Sequence, residues 1–357
     1  MTNTVKVAVI GASGYTGGEL LRLLSLHPNI VITKVVASEK SEGRSIADIL
    51  PNLSKAMDFR LSALDSSEIS QEADVIFLAL PHTQSLQPVS EFVSLGKTVI
   101  DLSADYRLKN PKTYEQWYDT PHTFPKLLPQ AVYGLPEFHR KDIAATKLVA
   151  VPGCYPTVAI LQLAPLITQG LLEMDTIIID AKSGVSGAGR SPALGSHFPE
   201  ANEGLHAYKL TTHRHTPEIT QELSFLAPPQ HQWGPHEIPL IFTPHLIPMN
   251  RGILSTAYAK VKPGITQTNI MEAVKQIYGD EYFIRLHSTP DTVNPNNLRG
   301  SNFCDLGYQL DPSTRCLITT GAIDNLVKGA AGQAIQCMNI MSQFPENTGL
   351  TGPGVFP

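Results

Sequence analysis

The sequence predicts an α/β protein of two domains, and three observations lead to this prediction. At 357 residues the chain exceeds what one hydrophobic core usually organises. Its first part alternates short apolar runs with helical patterns, which is typical of a parallel sheet covered by helices. After about residue 155 longer alternating runs follow, which favours a second, more antiparallel sheet packed by its own helices.

The composition is that of an ordinary globular protein and limits the possible partners. Hydrophobic residues make up 42% of the chain and charged residues 17%, with a formal net charge of −5. A mild negative charge without a dense Lys/Arg run argues against nucleic acid as a partner. The N-terminus has no basic region followed by a long apolar stretch, so we expect neither a signal peptide nor a membrane span.

The cysteines indicate a reducing compartment. Cys154, Cys304, Cys316 and Cys337 lie far apart and form no CxxC pair. Structural zinc and a disulfide framework therefore lose support, and we expect a cytoplasmic protein without a bound metal.

The first strand, Val5–Ile10, runs into a turn with three spaced glycines, Gly11, Gly14 and Gly17, and then into a helical pattern. Glycines let such a turn be tight and let its backbone approach a pyrophosphate, whose charge sits at the helix N-terminus. An ordinary glycine-rich turn is the alternative. The βαβ rhythm favours a Rossmann-type dinucleotide-binding domain.

The end of the second strand, Ile30–Ala37, bears on the choice of dinucleotide. NAD sites usually carry a carboxylate there for the ribose 2′-OH, whereas a 2′-phosphate needs small polar and cationic groups. Ser38, Lys40 and Arg44 could surround a phosphate, so we favour NADP. Glu39 leaves NAD open, and a solvated loop would also explain these charges.

Two candidate groups follow the next strands. His82 comes after the run 74–80, at the strand end where ligands of open α/β sheets bind; it lines the nicotinamide pocket or is a structural loop histidine. Arg107 follows the run 97–102 and is a candidate anion clamp or a surface salt bridge. The Pro-, Tyr- and His-rich segment 111–136 is predicted to be an irregular excursion over the site.

Cys154 lies in a turn, Pro152–Thr157, between a short apolar strand and an apolar helix predicted for 158–170. Pro156 suits a first helical position, which places the thiol at a helix N-terminus. Unpaired N–H groups and the helix dipole stabilise a thiolate there, so Cys154 is a candidate nucleophile. A buried structural cysteine is the alternative.

The histidines His213 and His215 flank a predicted helix start, with Thr216 as N-cap and Pro217 at the first helical position. A histidine there can exchange protons with a catalytic thiol near pH 7. Each alone could also be structural, and no further ligands at zinc spacing are present.

The remaining patterns place a strand at 176–181 and a flexible polar loop at 183–190 that carries Arg190. Strands are predicted at 238–243, 252–261 and 315–322. A helix rich in small residues, 324–339, is expected to return to the first domain, and the residues after 345 to form a tail.

Together these segments resemble the N-acetyl-γ-glutamyl-phosphate reductase family of arginine biosynthesis and, more distantly, aspartate-semialdehyde dehydrogenase. The resemblance covers nearly the whole chain. Its motifs are GASGYTGGEL (11–20), DLSADYRL (101–108), YGLPE (133–137), PGCYPT (152–157), SGVSGAGR (183–190), HRHTPEI (213–219), FTPHL with MNRGIL (242–254) and DNLVKGAAGQAIQCMN (324–339).

The resemblance implies a Rossmann-type NADP-binding domain of residues 1–154 and 325–357. It implies an α+β catalytic and dimerisation domain of residues 155–324, in a homodimer or homotetramer. The implied reaction is the NADPH-dependent reduction of N-acetyl-γ-glutamyl phosphate to the semialdehyde through a cysteine thioester. Reduction of aspartyl phosphate or of carrier-linked aminoadipyl phosphate, and a non-catalytic NADP-sensing protein, are the rival interpretations.

The resemblance also implies residue roles. Cys154 is the nucleophile, and a protonated His213, with His215 as its rival, protonates the developing oxygen. Arg107 and Arg190 hold the substrate's anionic groups. The implied cofactor contacts are Gly11, Ser13, Gly14, Tyr15, Thr16 and Gly17 at the pyrophosphate and Asn325 in a helix that closes on the nicotinamide side. Ser38 and Arg44 remain the candidates for the 2′-phosphate that the residues themselves suggest.

Two positions depart from the family pattern. Val151 stands where many members have Asn, and Ser38-Glu39 stands where Ser-Arg is frequent. Lys40 and Arg44 are therefore the expected substitutes at the 2′-phosphate.

Overall fold

The computed structural model describes residues 4–228 and 238–356. These residues form two compact units, one of 4–153 with 330–352 and one of 154–329 with 353–356. The expected domain bounds, 1–154 with 325–357 and 155–324, stay a prediction.

Both units contain strands and helices. The strands are β1 (Val5–Ile10), β2 (Ile30–Val36), β3 (Val75–Leu78), β4 (Thr98–Asp101), β5 (Val132–Tyr133), β6 (Leu148–Ala150), β7 (Ile177–Gly184), β8 (His206–Ala207), β9 (Leu240–Ile247), β10 (Ile253–Lys260), β11 (Ile284–Leu286), β12 (Cys304–Asp311) and β13 (Cys316–Ile323). The α-helices are α1 (Tyr15–Leu24), α2 (Ile46–Ile49), α3 (Ser66–Glu72), α4 (Leu86–Ser94), α5 (Pro111–Tyr118), α6 (Pro136–Ala145), α7 (Cys154–Thr168), α8 (Phe198–Ala201), α9 (Thr216–Leu226), α10 (Gln267–Tyr278) and α11 (Gly332–Met341).

The first unit is built on a parallel sheet in the order β2-β1-β3-β4-β6-β5. Its central strands are apolar on both faces, as β3 shows with four buried residues, because helices cover both sides. The chain runs from β1 to one neighbour, β2, and later to the other, β3. Ligands of such sheets bind at this switch point, beyond the carboxyl ends of the strands.

The sequence predicted the first four strands and the strand before Cys154 correctly to within two residues at each end. The irregular excursion predicted for 111–136 is wrong, because the segment contains α5, β5 and the start of α6. Asn110 caps α5 by accepting the N–H of Lys112 (2.9 Å), and Pro111 occupies its first turn. These signals of a helix start explain why α5 forms although the segment is rich in aromatic residues and proline.

The second unit is built on a mixed sheet in the order β11-β12-β13-β10-β7-β9-β8. β11 with β12 and β7 with β9 are parallel, and the other pairs are antiparallel. The predicted α/β class is therefore confirmed. β8, β11, β12 and α10 were not predicted.

Helix α7 lies on one face of this sheet and is apolar on almost all sides, as expected of a buried helix. The amide of buried Gln162 donates to the carbonyls of Ser255 on β10 and Thr319 on β13 (3.3 and 2.6 Å). Pro165 lacks the N–H that would bond to the Leu161 carbonyl, and the Tyr278 hydroxyl of α10 donates to that oxygen instead (2.7 Å).

Candidate active site

The glycine turn after β1 has the tight geometry that a pyrophosphate site needs. Gly11 has φ +83°, and a Cβ there would lie 2.3 Å from the Ala79 carbonyl oxygen. A Cβ on Gly17 would lie 2.3 Å from the Gly11 oxygen. Helix α1 begins at Tyr15 after Gly14, which offers no capping side chain. Backbone N–H groups at this helix start are thus available for an anion, and the residues present fit a dinucleotide.

The exposed residues Ser38, Lys40 and Arg44 follow β2, as the sequence indicated. The structure adds Arg60, which sequence reasoning missed. Arg60 pairs with Ser45 across an antiparallel bridge, and its guanidinium donates to the Gly43 carbonyl (2.9 Å). A second arginine therefore lies beside this segment, and nothing in its local sequence pattern would have revealed it.

The loops after β3 and β4 are joined by the carboxylate of Asp105, which is fully buried. It accepts the backbone N–H groups of Thr83 (2.7 Å) and Ser85 (2.9 Å) and the hydroxyl of Tyr114 (2.9 Å). The backbone N–H of Ala104 donates to His82 Nδ1 (3.1 Å). The exposed His82 is thus held at the carboxyl end of the parallel sheet.

Arg107 is buried rather than exposed, with 4% of its surface accessible. Its Nε donates to the Val151 carbonyl (2.7 Å) and its Nη2 to the Leu102 carbonyl (2.9 Å). Arg107 therefore anchors the backbone that leads from β6 toward Cys154. Its contact with a substrate anion stays a prediction.

Asp101, at the end of β4, lies close to both Asp105 and Arg107. Burial and then the Asp105 charge raise the pKa of the Asp101 carboxyl well above its usual range. The N–H and hydroxyl of Ser103 both donate to Asp101 (3.0 and 2.7 Å), which partly offsets this effect.

Cys154 is the first residue of α7, so the helix begins two residues earlier than Pro156 indicated. The thiol is half-buried. A Cβ on Gly329 would lie 2.8 Å from the Cys154 Cβ. Gly329 belongs to a π-helical turn, Val327–Ala331, a feature often found at functional sites. The glycine is therefore required by the close approach of this turn to Cys154.

His213 lies in an aromatic cluster, with only 8% of its surface exposed. Its ring is edge-on to those of Tyr155, Tyr208 and Phe242, at centroid distances of 5.7, 5.4 and 5.3 Å. The charge of Cys154 contributes to raising the pKa of both tyrosines, so the sulfur lies near both hydroxyls. The fold thus brings His213 into the surroundings of Cys154, which the sequence could not show because these residues are far apart in the chain.

Burial, followed by the charges of Lys209 and Arg214, lowers the pKa of His213 to about 4. The ring is therefore neutral near pH 7. A resting histidinium, as the expected protonation step requires, is disfavoured. His215 is less buried, precedes α9 as its N-cap residue and has its ring 4.8 Å from that of His213. Helix α9 begins at Thr216, one residue earlier than predicted.

The polar segment 183–190 is more regular than the predicted flexible loop. β7 extends to Gly184, and a 3₁₀ turn, Val185–Ala188, follows it. Asn325 ties this turn to the segment before β10, because its Oδ1 accepts the Gly252 N–H (2.7 Å) and its Nδ2 donates to Ser186 Oγ (3.0 Å). A cofactor contact of Asn325 stays a prediction, as does the substrate contact of the exposed Arg190.

Two features are absent from residues 4–228 and 238–356. Among their helices none combines the length and hydropathy needed to span a bilayer. Nor do three or more of their His, Cys, Asp and Glu side chains come together in a way that could hold a metal ion.

Comparison with known proteins places both units in one enzyme superfamily. Residues 6–146 match the family described as semialdehyde dehydrogenase, NAD binding domain. Residues 154–325 match semialdehyde dehydrogenase, dimerisation domain. The fold is similar to that of aspartate semialdehyde dehydrogenase II from Vibrio cholerae, with a TM-score of 0.70 at 17% identity over 95% of this chain and 98% of that one. The Candida albicans enzyme, solved with NADP, gives the same TM-score, identity and coverage.

Closer relatives carry a more specific name. A protein of Geotalea daltonii named N-acetyl-gamma-glutamyl-phosphate reductase is 49% identical over 99% of this chain and 100% of its own length. One of the same name from Geobacter sulfurreducens is 48% identical with the same coverage. Identity at this level over the full length, with the expected motifs in place, leads to one conclusion: the chain belongs to the N-acetyl-gamma-glutamyl-phosphate reductase family.

Proposed function

We propose that this protein reduces N-acetyl-gamma-glutamyl phosphate to N-acetylglutamate semialdehyde with NADPH, through a thioester on Cys154. One observation carries the proposal: a half-buried thiol stands at the first residue of α7, against Gly329, in a chain 49% identical to a reductase of that name. The N-terminal N–H groups of α7 can stabilise both a thiolate and the oxyanion formed on acylation.

Covalent catalysis divides the reaction into two easier steps. The Cys154 thiolate attacks the acyl carbon, and the bond to the phosphate oxygen breaks. Bound NADPH supplies a hydride to the resulting thioester. Arg107 and Arg190 are our candidates for the phosphate and the substrate carboxylate, because a guanidinium binds either group bidentately.

We propose NADP rather than NAD as the cofactor. The exposed side chains of Ser38, Lys40, Arg44 and Arg60 follow or adjoin β2, where a 2′-phosphate would bind. Glu39 is the one carboxylate at the position typical of NAD sites, and these four polar or cationic side chains favour a 2′-phosphate over it.

We propose that the protein forms a homodimer, or a homotetramer made of such dimers, through the exposed face of the seven-stranded sheet. Four apolar side chains form one row across this face: Tyr258 pairs with Ile178 and Ile318, and Ile178 pairs with Ile241. Ile241 is 59% exposed and Ile178 41% exposed, and helix α7 covers the opposite face. The match to a dimerisation domain supports a second copy as the occupant. A cytoplasmic location agrees with four cysteines that form no disulfide bond.

The rival substrates are distinguished by one assay. Run in reverse with NADP⁺, phosphate and each of the N-acetylglutamate, aspartate and aminoadipate semialdehydes, the enzyme should act best on the first. Cys154→Ser should keep cofactor binding and lose nearly all turnover, whereas an NADP-sensing protein would show no turnover at all. Substantial activity of the serine variant would contradict the thioester, and parallel kinetics with NAD⁺ test the cofactor.

A further inference from the structure

Thr83, in the loop between β3 and α4, has a backbone conformation that its residue type disfavours. Its φ is +70°, in the left-handed region. Contacts of the Cβ make that region costly for every residue except glycine, and most of all for a β-branched side chain. Such a residue keeps this conformation only where its surroundings impose it, and positions of this kind cluster at functional sites.

The carboxylate of Asp105 holds this conformation through hydrogen bonds to the loop. The Thr83 N–H donates to Oδ1 (2.7 Å), and the Ser85 N–H, just before α4, donates to Oδ2 (2.9 Å). The hydroxyl of Tyr114 on α5 also donates to Oδ1 (2.9 Å). Asp105 and Ser85 are fully buried, so the loss of this acceptor would leave a buried N–H group without a partner, which is unfavourable.

The same group of contacts orients His82, the residue before Thr83. Its Nδ1 accepts the Ala104 N–H (3.1 Å), and its ring lies edge-on to that of Tyr118 at a centroid distance of 5.7 Å. Tyr118 in turn stacks on Tyr114 at 4.8 Å. The loop backbone and the His82 ring are therefore both held by Asp105 and residues in contact with it.

This loop begins beside the glycine turn that follows β1. A Cβ on Gly11 would lie 2.3 Å from the Ala79 carbonyl oxygen and 3.3 Å from the Leu80 nitrogen. The Ala79 N–H donates to the Ile10 carbonyl (2.8 Å), so the ends of β3 and β1 are joined. A dinucleotide binds beyond the carboxyl ends of such strands. A shift of residues 81–85 would therefore change the protein surface next to the bound dinucleotide.

We infer that Asp105 is a positioning residue for the dinucleotide: from its buried place it keeps residues 81–85, and Thr83 in particular, in the strained conformation that binds the cofactor. That the dinucleotide is NADPH rests on the proposed function, whereas residues 6–146 match an NAD binding domain. A loop with two conformations binds its ligand with an affinity reduced by the fraction in the competent one. If loss of the carboxylate lowers that fraction to about a tenth, the dissociation constant rises about tenfold.

Asp105→Asn removes one of the two acceptors. An amide has a single oxygen, so it cannot accept both N–H groups as the two carboxylate oxygens do. We expect the dissociation constant of NADPH, measured by fluorescence titration, to rise about tenfold or more. Tyr114→Phe is the milder variant: it leaves both N–H bonds in place and should raise the constant by about threefold or less. A folded Asp105→Asn variant with wild-type affinity would overturn the inference.

Relief of the strain separates positioning from a general structural role. Glycine adopts a positive φ without strain, so in the Thr83→Gly background the loop depends less on the carboxylate, and Asp105→Asn should raise the dissociation constant by only about threefold or less. Gln84→Gly is the matched control, because it adds flexibility at a residue whose φ is not positive. In that background the factor should stay about tenfold or more. Equal factors in the two backgrounds would overturn the inference.

A stability measurement keeps the inference testable if Asp105→Asn does not fold. Relief of the strain should raise the Tm of Thr83→Gly above that of the wild type by about 1–3 °C, whereas Gln84→Gly should lower the Tm. A Thr83→Gly variant with a lowered Tm would overturn the inference. Failure of the proposed function looks different, because the wild type would bind NADPH and reduce no acyl phosphate, and the role of Asp105 would stand. A wild type that binds no NADPH would overturn both.

Discussion

At the residue scale, the position of Cys154, the proposed nucleophile, depends on Gly329, a neighbour that carries no side chain. Gly329 brings the π-helical turn against Cys154, so close that a Cβ there would lie 2.8 Å from the Cys154 Cβ and 3.2 Å from its Cα. The backbone atom cannot yield as the end of a flexible side chain could. The position of the sulfur at the start of α7 therefore depends on the glycine.

Gly329→Ala should lower kcat by about 10- to 100-fold, because even a displacement of about 1 Å can misalign a nucleophile. Binding of NADPH should change little. Steady-state kinetics and a fluorescence titration of NADPH separate the two effects. Gly352→Ala is the matched control, since no atom lies within 4 Å of its added methyl group. Wild-type kcat in a folded Gly329→Ala variant would contradict the proposed dependence.

The sequence indicated candidate residues for the site but not their environment. A turn followed by an apolar helix was enough to place Cys154 at a helix start, and a Pro after Thr216 was enough to indicate the start of α9. The contact of His213 with Tyr155 joins residues that are 58 positions apart in the chain, so only the fold shows it. The lowered pKa of the ring follows mainly from its burial, which could not be predicted from the residue type.

At the scale of elements, three βα junctions of the first unit, those after β1, β3 and β4, are held in place by specific close contacts or hydrogen bonds. At the β1–α1 junction the start of α1 lies so close to the Gly11 carbonyl oxygen that Gly17 has no room for a Cβ. The junctions after β3 and β4 are joined through buried Asp105. All of them lie at the carboxyl edge of the sheet, where an open α/β sheet binds its ligand.

Gly17→Ala should weaken NADPH binding by about tenfold or more, because the methyl group would meet the Gly11 oxygen and push α1 away from the turn. Gly18→Ala is the control in the same helix. Its methyl group meets only the side chain of Leu50, and Ala is the better helix former by about 1 kcal/mol. Equal dissociation constants for NADPH in the two variants would show that the turn is not the binding site.

Asp101 makes the stability of the first unit depend on pH in an unusual direction. Its folded pKa lies above that of the unfolded chain, so between about pH 4 and pH 7 the folded state binds more protons. This group therefore lowers the free energy of unfolding as pH rises, by an amount on the order of a few kcal/mol.

Asp101→Asn should remove this contribution, so the variant gains stability relative to the wild type as pH rises from 4 to 7. Urea unfolding at several pH values measures the difference, and Asp58→Asn, at an exposed position, controls for the loss of one charge. If the free energies of unfolding of the wild type and of the Asp101→Asn variant changed in parallel with pH, the Asp101 carboxyl would have an ordinary pKa, which would contradict the prediction.

Elements were predicted where local pattern and burial agree. Residues 75–80 are apolar throughout because β3 is covered on both faces. β12 was missed although its residues alternate between apolar and polar, the pattern of a strand with one solvated face. Asp305 is nevertheless fully buried, since Arg285 of β11 forms two hydrogen bonds with it (2.6 and 3.0 Å). Such a pairing between strands is invisible in a local window.

At the scale of the whole molecule, the apolar row on the seven-stranded sheet is exposed in the single chain. Ile178 lies in the middle of this row, between Tyr258 and Ile241. Exposed apolar residues that are adjacent to one another usually mark an interface, whereas scattered ones do not.

Ile178→Asp should therefore shift the protein toward monomer, because an interface would bury a charge without a partner. Light scattering after size exclusion measures the mass. Leu26→Asp, at an exposed apolar position in the first unit, is the control and should leave the mass unchanged. An Ile178→Asp variant with the wild-type mass would place the interface elsewhere.

The central claim is that Cys154 carries the acyl group, and trapping that group tests it most directly. The protein is mixed with N-acetyl-gamma-glutamyl phosphate in the absence of NADPH, quenched in acid, and analysed for released phosphate and for the mass of the peptide that contains Cys154. We predict a burst of phosphate that matches an acyl adduct on Cys154, and discharge of the adduct as semialdehyde when NADPH is added before the quench. Phosphate release that requires NADPH and leaves no adduct, or an adduct on another residue, would contradict the account.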